Sequence, residues 1–249
     1  MGDDHRVVVV TGGSRGIGRE ACRGFAARGD AVVVASRKAG ACTDLAAELT
    51  AEFGTPALGV GCHVGRWADC DALVDRVLGE YGRVDVLVNN AGMSPLYDSL
   101  TDVTEELFDK VLAVNLRGAY RLGARCGERM AADGGGAIVN VSSVAAVRPS
   151  PGELPYAMAK AGLNALTVGL ARAYAPSVRV NTVMPGPIRT DIAEHWTDEF
   201  RARAAADVPA GRVGEAGEVA GAIAYLAGPD AGYTNGATIK VDGGMAWST

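Results

Sequence analysis

The chain has 249 residues, 48% of them hydrophobic, and a formal net charge of −5. That acidic balance argues against the phosphate backbone of nucleic acid as a main partner. No apolar run approaches the roughly 20 residues that cross a bilayer, so no membrane partner is expected either. The five cysteines (Cys22, Cys42, Cys62, Cys70 and Cys126) are scattered and odd in number, with no CxxC pair. A disulfide framework or a metal site is therefore not expected, and a reducing, cytoplasmic setting fits better.

Short β-branched runs alternate with longer amphipathic stretches. The first strand is expected at residues 6–10, which leaves no room before it for a signal peptide. Further strands are expected at 31–35, 57–62, 84–89, 137–141, 178–183 and 238–241. Most are continuous apolar runs, as strands buried on both faces should be. Helical patterns fill 16–28, 41–53, 67–81, 105–130 and 154–174. The alternation predicts α/β architecture: a single Rossmann-type, doubly wound domain over 1–249, with about seven parallel strands and helices on both faces. Ligands of such sheets bind beyond the carboxyl ends of the strands. Residues 185–214 break the rhythm with Pro185, Gly186 and Pro187 at one end and Pro209 and Gly211 at the other. An excursion of this length reads as a candidate substrate lid.

The first strand runs into Thr11-Gly12-Gly13-Ser14-Arg15-Gly16-Ile17-Gly18 and then into a helix. Glycines permit a tight turn and close approach of the backbone to a pyrophosphate, whose charge suits a helix N-terminus. No Gly-Lys-Ser/Thr closes the turn, so it is not a P-loop. At the end of the second strand, folds that prefer NAD usually place an acid for the ribose 2′-hydroxyl. This chain has Ser36, Arg37 and Lys38 there. With Arg15 close by, guanidinium groups suit a 2′-phosphate, so NADP(H) is expected to be preferred, with NAD(H) possible.

Tyr156 and Lys160 stand four residues apart, thirteen residues after Ser143. Positions i and i+4 share a helix face, so phenol and ammonium can point into one cleft. A cation there favours the phenolate and lowers a pKa of about 10. A tyrosine tuned in this way exchanges protons with an alcohol or carbonyl oxygen.

Taken together, these motifs resemble the short-chain dehydrogenase/reductase family in its compact single-domain branch, over nearly the whole length. The resemblance rests on Thr11 to Gly18, Asn89-Asn90-Ala91-Gly92, Asn115, Ser143 with Tyr156 and Lys160, and Pro185-Gly186. It implies Tyr156 as proton donor in reduction and base in oxidation, and Ser143 as hydrogen-bond donor to the reacting oxygen. It implies Lys160 on the nicotinamide ribose, lowering the tyrosine pKa, and Asn115 holding a relay water. Asn90, Ala91 and Gly92 would line the adenine-side ribose. Ile188 and Thr190, past Pro185-Gly186, would meet the carboxamide. The Asn-Asn-Ala-Gly stretch could equally serve to join neighbouring strands, and Asn115 to bond helix backbone.

One departure stands out. The family usually carries an aspartate for the adenine amine after the third strand, whereas this chain has His63 followed by Val64. Either the histidine or the Val64 backbone could contact adenine, or His63 could be packing. The resemblance is nearest to 3-oxoacyl carrier-protein reductases and to sugar or polyol dehydrogenases. It implies a small carbonyl or alcohol substrate, possibly a 3-oxoacyl thioester, and a homotetramer. Ser94, Pro95 and Leu96, residues 144–153 and residues 192–196 would line the pocket. Arg121, Arg125 and Arg129 share one helix face that could dock a carrier protein, contact a subunit or face solvent. A non-catalytic NADP(H) sensor is the alternative from another class, although Ser143, Tyr156 and Lys160 are all in place.

Overall fold

The computed structural model describes residues 5–190 and 205–246. Strand β1 (Val7–Thr11) is a run of valines, buried at every position. Helix α1 (Gly16–Ala26) leads to β2 (Ala31–Ser36), α2 (Ala39–Phe53), β3 (Ala57–Gly61), α3 (Trp67–Tyr81) and β4 (Val86–Asn89). After α4 (Glu105–Leu112) and α5 (Gly118–Ala132) come β5 (Gly136–Val141), α6 (Leu154–Tyr174) and β6 (Val178–Pro185). The short β7 (Ile188–Arg189) and β8 (Gly214–Glu215) precede α7 (Ala216–Ala227) and β9 (Thr238–Val241).

Seven strands form one sheet in the order β3-β2-β1-β4-β5-β6-β9. Every pairing in it is parallel. Alternation along each strand sends side chains to opposite faces. Val8, Val10, Val32 and Val34 therefore join Phe25 of α1, Leu45 of α2 and Ile223 of α7 in one apolar layer. Val7, Val9 and Val33 join Leu73 of α3, Leu122 of α5 and Leu170 of α6 in the other. Each such burial contributes roughly 1.5–3 kcal/mol. Strand order reverses between β1 and β4, so the loops after these two strands diverge and leave a crevice at their carboxyl ends.

Sequence and structure agree on all seven sheet strands, with ends that shift by one or two residues. The helix expected over 105–130 is interrupted. Between α4 and α5 lies a wider π-type turn, Ala113–Arg117, in which the Gly118 N–H reaches back to the Ala113 carbonyl. Asn115 provides the cause. Its side-chain amide donates to the Val111 carbonyl at 2.9 Å and to the Met93 carbonyl at 2.8 Å. The side chain thus takes the carbonyl that the helical ladder would have used. Helix α7 and the β7–β8 pair were not expected from sequence. That pair ties the two ends of the 185–214 excursion together, with Ile188 opposite Gly214. Of the candidate lid, residues 191–204, including Ile192, His195 and Trp196, lie outside the described residues.

A buried polar chain sets α6 against the sheet. Asn89 donates to Asn140 at 2.9 Å, Asn140 donates to Thr167 of α6 at 2.8 Å, and Thr167 meets Thr182 at 2.8 Å. Buried networks of this kind fix one packing arrangement, although the Asn89 Oδ1 has no partner among the described residues. The three arginines on α5 are held mainly by acids: Arg121 by Asp71 and Arg125 by Asp75, both on α3 and both at 2.6 Å, and Arg129 by Asp133 at 2.5 Å. Their stripe is neutralised and is not an open basic surface. The five cysteines are free and buried.

Candidate active site

The glycine turn between β1 and α1 is tight for a stated reason. Gly12 and Gly16 have φ of 62° and 52°, in the left-handed region that side chains avoid. A Cβ on Gly18 would lie 2.2 Å from the Gly12 carbonyl oxygen. Gly18→Ala should therefore displace the turn at a cost on the order of 1–3 kcal/mol. We expect a lower melting temperature and at least tenfold weaker nucleotide binding by titration. Wild-type values for both would mean that the turn has slack.

Asn90 locks this turn to the end of β4. Its amide donates to the Thr11 and Gly12 carbonyls at 2.9 and 3.2 Å, while its own N–H and that of Ala91 reach the Thr11 hydroxyl. The Asn90 side chain is thus committed to joining strands, as one of the two sequence readings has it. Ala91 and Gly92 are left to face the crevice.

That crevice contains a cavity of about 490 Å³. Gly12, Ser14, Arg15, Gly16 and Ile17 line its floor, with Ser36 at the end of β2 and Arg37 just after it. His63 and Val64 come from the loop after β3, Asn90, Ala91 and Gly92 from the loop after β4, and Thr190 from the far side. Lys38, named with Arg37 above, also lines it, and Ala41, Cys62, Met93, Lys110 and Val114 do so beyond the candidate set. Its charged lining is wholly cationic (Arg15, Arg37, Lys38 and Lys110), although the protein is acidic overall. A long crevice with a glycine floor and cationic walls fits a dinucleotide phosphate.

Three expectations about this end need qualification. The Ser36 hydroxyl is engaged by Ser14 at 2.9 Å and lies 3.0 Å from the Cys42 sulfur, so Arg37 is the freer group for a ligand. The Ile188 side chain is 9% exposed and packs in the apolar layer with Val219 and Ile223, which leaves only its backbone for a carboxamide. Pro185 and Gly186 continue the pairing with β9, where the Gly186 N–H donates to Val241 at 3.0 Å. His63 donates its backbone N–H to Asp69 at 3.1 Å. Its buried Nδ1 has no partner among the described residues.

The proton-transfer group adjoins this crevice. Tyr156 lies on the first turns of α6, within hydrogen-bond reach of Ser143. Its neighbour Ser142 is buried and donates to the Lys160 carbonyl at 3.3 Å. The Lys160 ammonium is 5.6 Å from the Tyr156 ring centroid and donates to the Val141 carbonyl at 2.7 Å. A Cβ on Gly92 would sit 3.7 Å from that ammonium and 2.9 Å from the Asn115 Oδ1. Asn115 is buried, and its Oδ1 accepts from the Met93 N–H at 3.2 Å, which leaves one lone pair on that oxygen.

The electrostatics reverse one expectation. Burial pushes the Tyr156 phenol above its ordinary value, the hydrogen bond with Ser143 opposes this, and the Glu153 charge adds to the rise. Lys160 does not hold the phenol down, because burial destabilises its own charge and pushes its pKa down to about 8. Spacing alone shows that the two groups meet; the depth at which they meet sets the direction.

Other known proteins extend this picture. A family model described as enoyl-(acyl carrier protein) reductase matches residues 12–246. The L-rhamnose 1-dehydrogenase (NAD(P)(+)) of Azotobacter vinelandii is 42% identical over 249 residues, covering 96% of each chain. Dehydrogenase/reductase SDR family member 4 of Bos taurus is 41% identical, over 97% of this chain and 87% of that protein. The 3-oxoacyl-[acyl-carrier-protein] reductase FabG of Escherichia coli is 36% identical, over 98% of this chain and 99% of that one. A crystal structure of a proposed short-chain alcohol dehydrogenase from Sinorhizobium meliloti superposes with a TM-score of 0.92 at 31% identity, over 98% of this chain and 97% of that one. The chain belongs to the short-chain dehydrogenase/reductase family. It is an oxidoreductase acting on the CH–OH/C=O couple, in a family that uses NAD(P)(H). Among the described residues, no helix is long and apolar enough to cross a membrane.

Proposed function

We propose that this enzyme prefers NADP(H), with NAD(H) possible, and interconverts a small secondary alcohol and its ketone. The cationic lining of the cavity carries the cofactor half of this reading: Arg15, Arg37 and Lys38 cluster beyond the β2 end with no acid among them. None of the three is ion-paired among the described residues, so each is available to a 2′-phosphate. Bound nicotinamide supplies the hydride to the carbonyl carbon, or accepts it in oxidation. Tyr156 gives its proton to the carbonyl oxygen in reduction and recovers it in oxidation. Ser143 donates a hydrogen bond to that oxygen, Lys160 holds the ribose side, and Asn115 positions a water behind Lys160.

The neutralised stripe of Arg121, Arg125 and Arg129 favours a free small molecule over a carrier-bound acyl thioester. A homotetramer is part of the same proposal, supported by the exposed Met158 and Val168 on α6 and the exposed Tyr233 ahead of β9. Buried free thiols suit a cytoplasmic setting.

Paired steady-state assays test the cofactor choice. NADPH should exceed NADH in kcat/KM, and Arg37→Asp should lower NADPH efficiency roughly ten- to a hundredfold, the worth of a charge-assisted hydrogen bond, while sparing NADH. Equal efficiencies in the wild type would remove the phosphate-clamp argument.

A further inference from the structure

Glu153 ends the 3-10 turn Pro151–Glu153 and occupies the N-cap position of α6, three residues before Tyr156. It thus stands one turn ahead of Tyr156 in the chain, and its charge adds to the rise of the phenol's pKa. Several carboxylates elsewhere on the protein meet a guanidinium, among them Asp30, Asp71, Glu215 and Glu218. Glu153 instead has a hydrogen bond from Ser94 at 3.4 Å and no ion pair among the described residues. Arg148, the nearby cation in sequence, is spent on the Met245 carbonyl. Glu153 is only partly exposed, and burial raises its pKa while Ser94 opposes the rise. A half-buried carboxylate without a cation is costly unless donors reach it.

The surrounding frame is built in advance. The Tyr97 hydroxyl donates to the Pro151 carbonyl at 2.8 Å and accepts from the Leu154 N–H at 2.7 Å. One phenol thereby staples the loop that carries Ser94 to the turn that carries Glu153. The two polar groups face each other beside Tyr156 without help from a ligand. An ionised carboxylate only accepts hydrogen bonds, and its two oxygens offer about four lone-pair positions. A hydroxyl on the carbon next to the reacting one matches this need, because it can donate to the carboxylate while the reacting hydroxyl faces Tyr156. A substrate with a phosphate or carboxylate near the carbonyl would be repelled.

We infer that Glu153 and Ser94 form a recognition site for a hydroxyl group next to the reacting carbon, so that the enzyme prefers neutral polyhydroxylated substrates such as sugars and polyols. This rests on the hydride-transfer reading above and narrows it to a substrate class.

The test uses probes of one size. Initial rates of NADP-dependent oxidation are measured for cyclohexanol, cyclohexane-1,2-diol and 2-aminocyclohexanol with the wild type, Glu153→Gln and Glu153→Leu. The readout is the ratio of kcat/KM values within each protein, so a general loss of activity or folding yield cancels. The wild type should favour the diol over cyclohexanol by at least tenfold. That ratio should fall to about one in Glu153→Leu and be partly retained in Glu153→Gln, whose amide oxygen still accepts. A wild-type ratio near one, or a preference that survives in Glu153→Leu, overturns the inference. So does a preference for the amino alcohol that Glu153→Gln abolishes, which would assign the carboxylate to a cation. Turnover of cyclohexanol alone leaves the hydride-transfer reading standing while removing this one. A wild type that oxidises none of the three and reduces none of the matching ketones sinks both.

Discussion

Tyr156→Phe should lower kcat about a thousandfold while changing NADPH affinity by no more than a few-fold. General acid–base catalysis contributes roughly 10²–10⁴ in rate, and the substitution removes the exchanging proton while retaining the ring. The ring matters because Lys160 lies against it, 5.6 Å from its centroid. Binding measured by fluorescence titration should therefore survive, and single-turnover rates should not. Burial and the Glu153 charge hold the wild-type phenol above its ordinary pKa, so the base needed for oxidation forms only at alkaline pH. For the free enzyme, reported by kcat/KM, oxidation should keep rising above neutrality, and the Phe variant should lose that rise. Near-normal turnover in the variant would mean that another acid performs the transfer. Equal losses in rate and in binding would mean that the hydroxyl has a structural role.

The sheet is legible in the sequence because parallel strands buried on both faces need no alternation. The valine runs 7–10 and 32–34 cannot be anything exposed. Helices α3 and α6 match their expected bounds for local reasons: a left-handed Gly82 stops one, and Pro155 in the first turn starts the other. Helix α7 escapes notice because Glu215 stands at its N-cap in place of Ser, Thr, Asp or Asn, with the Glu215 N–H donating to the Glu218 carboxylate at 2.8 Å. The π-type turn depends on Asn115 reaching Met93, 22 residues away, which no local pattern encodes. The same division runs through the site. Ser143, Tyr156 and Lys160 are readable from spacing, as are the glycines of the turn. Lys110 and Met93 come to the cavity wall only by tertiary packing. The buried environment that reverses the expected effect of Lys160 on Tyr156 is likewise a property of the folded chain, invisible until α6 is laid on the sheet.

That environment yields a second large effect, in which stability and activity move in opposite directions. Lys160 is 3% exposed and gives its ammonium to the Val141 carbonyl, with no carboxylate among its partners. Its pKa is pushed down to about 8 by burial, against about 10.4 in an unfolded chain. A cationic group with a lowered folded pKa destabilises the fold fully below that pKa. The cost is relieved as pH climbs from about 8 towards about 10.4, where the unfolded chain binds the extra proton. At about 1.4 kcal/mol per pH unit, the cost at neutral pH is about 3 kcal/mol. Lys160→Met keeps the length of the side chain, removes the charge and leaves the Val141 carbonyl unpaired, which returns about 1–2 kcal/mol. Purified without nucleotide at pH 7, the variant should therefore melt a few degrees higher than the wild type, and the gap should close as pH rises from 8 to 10. The same variant should lose turnover, and added NADPH should raise its melting temperature less than it raises that of the wild type, because ligand stabilisation follows affinity. A variant that melts lower than the wild type at pH 7 would show that the ammonium is a net structural anchor, and the case for a strained cation held ready for the ribose would fail.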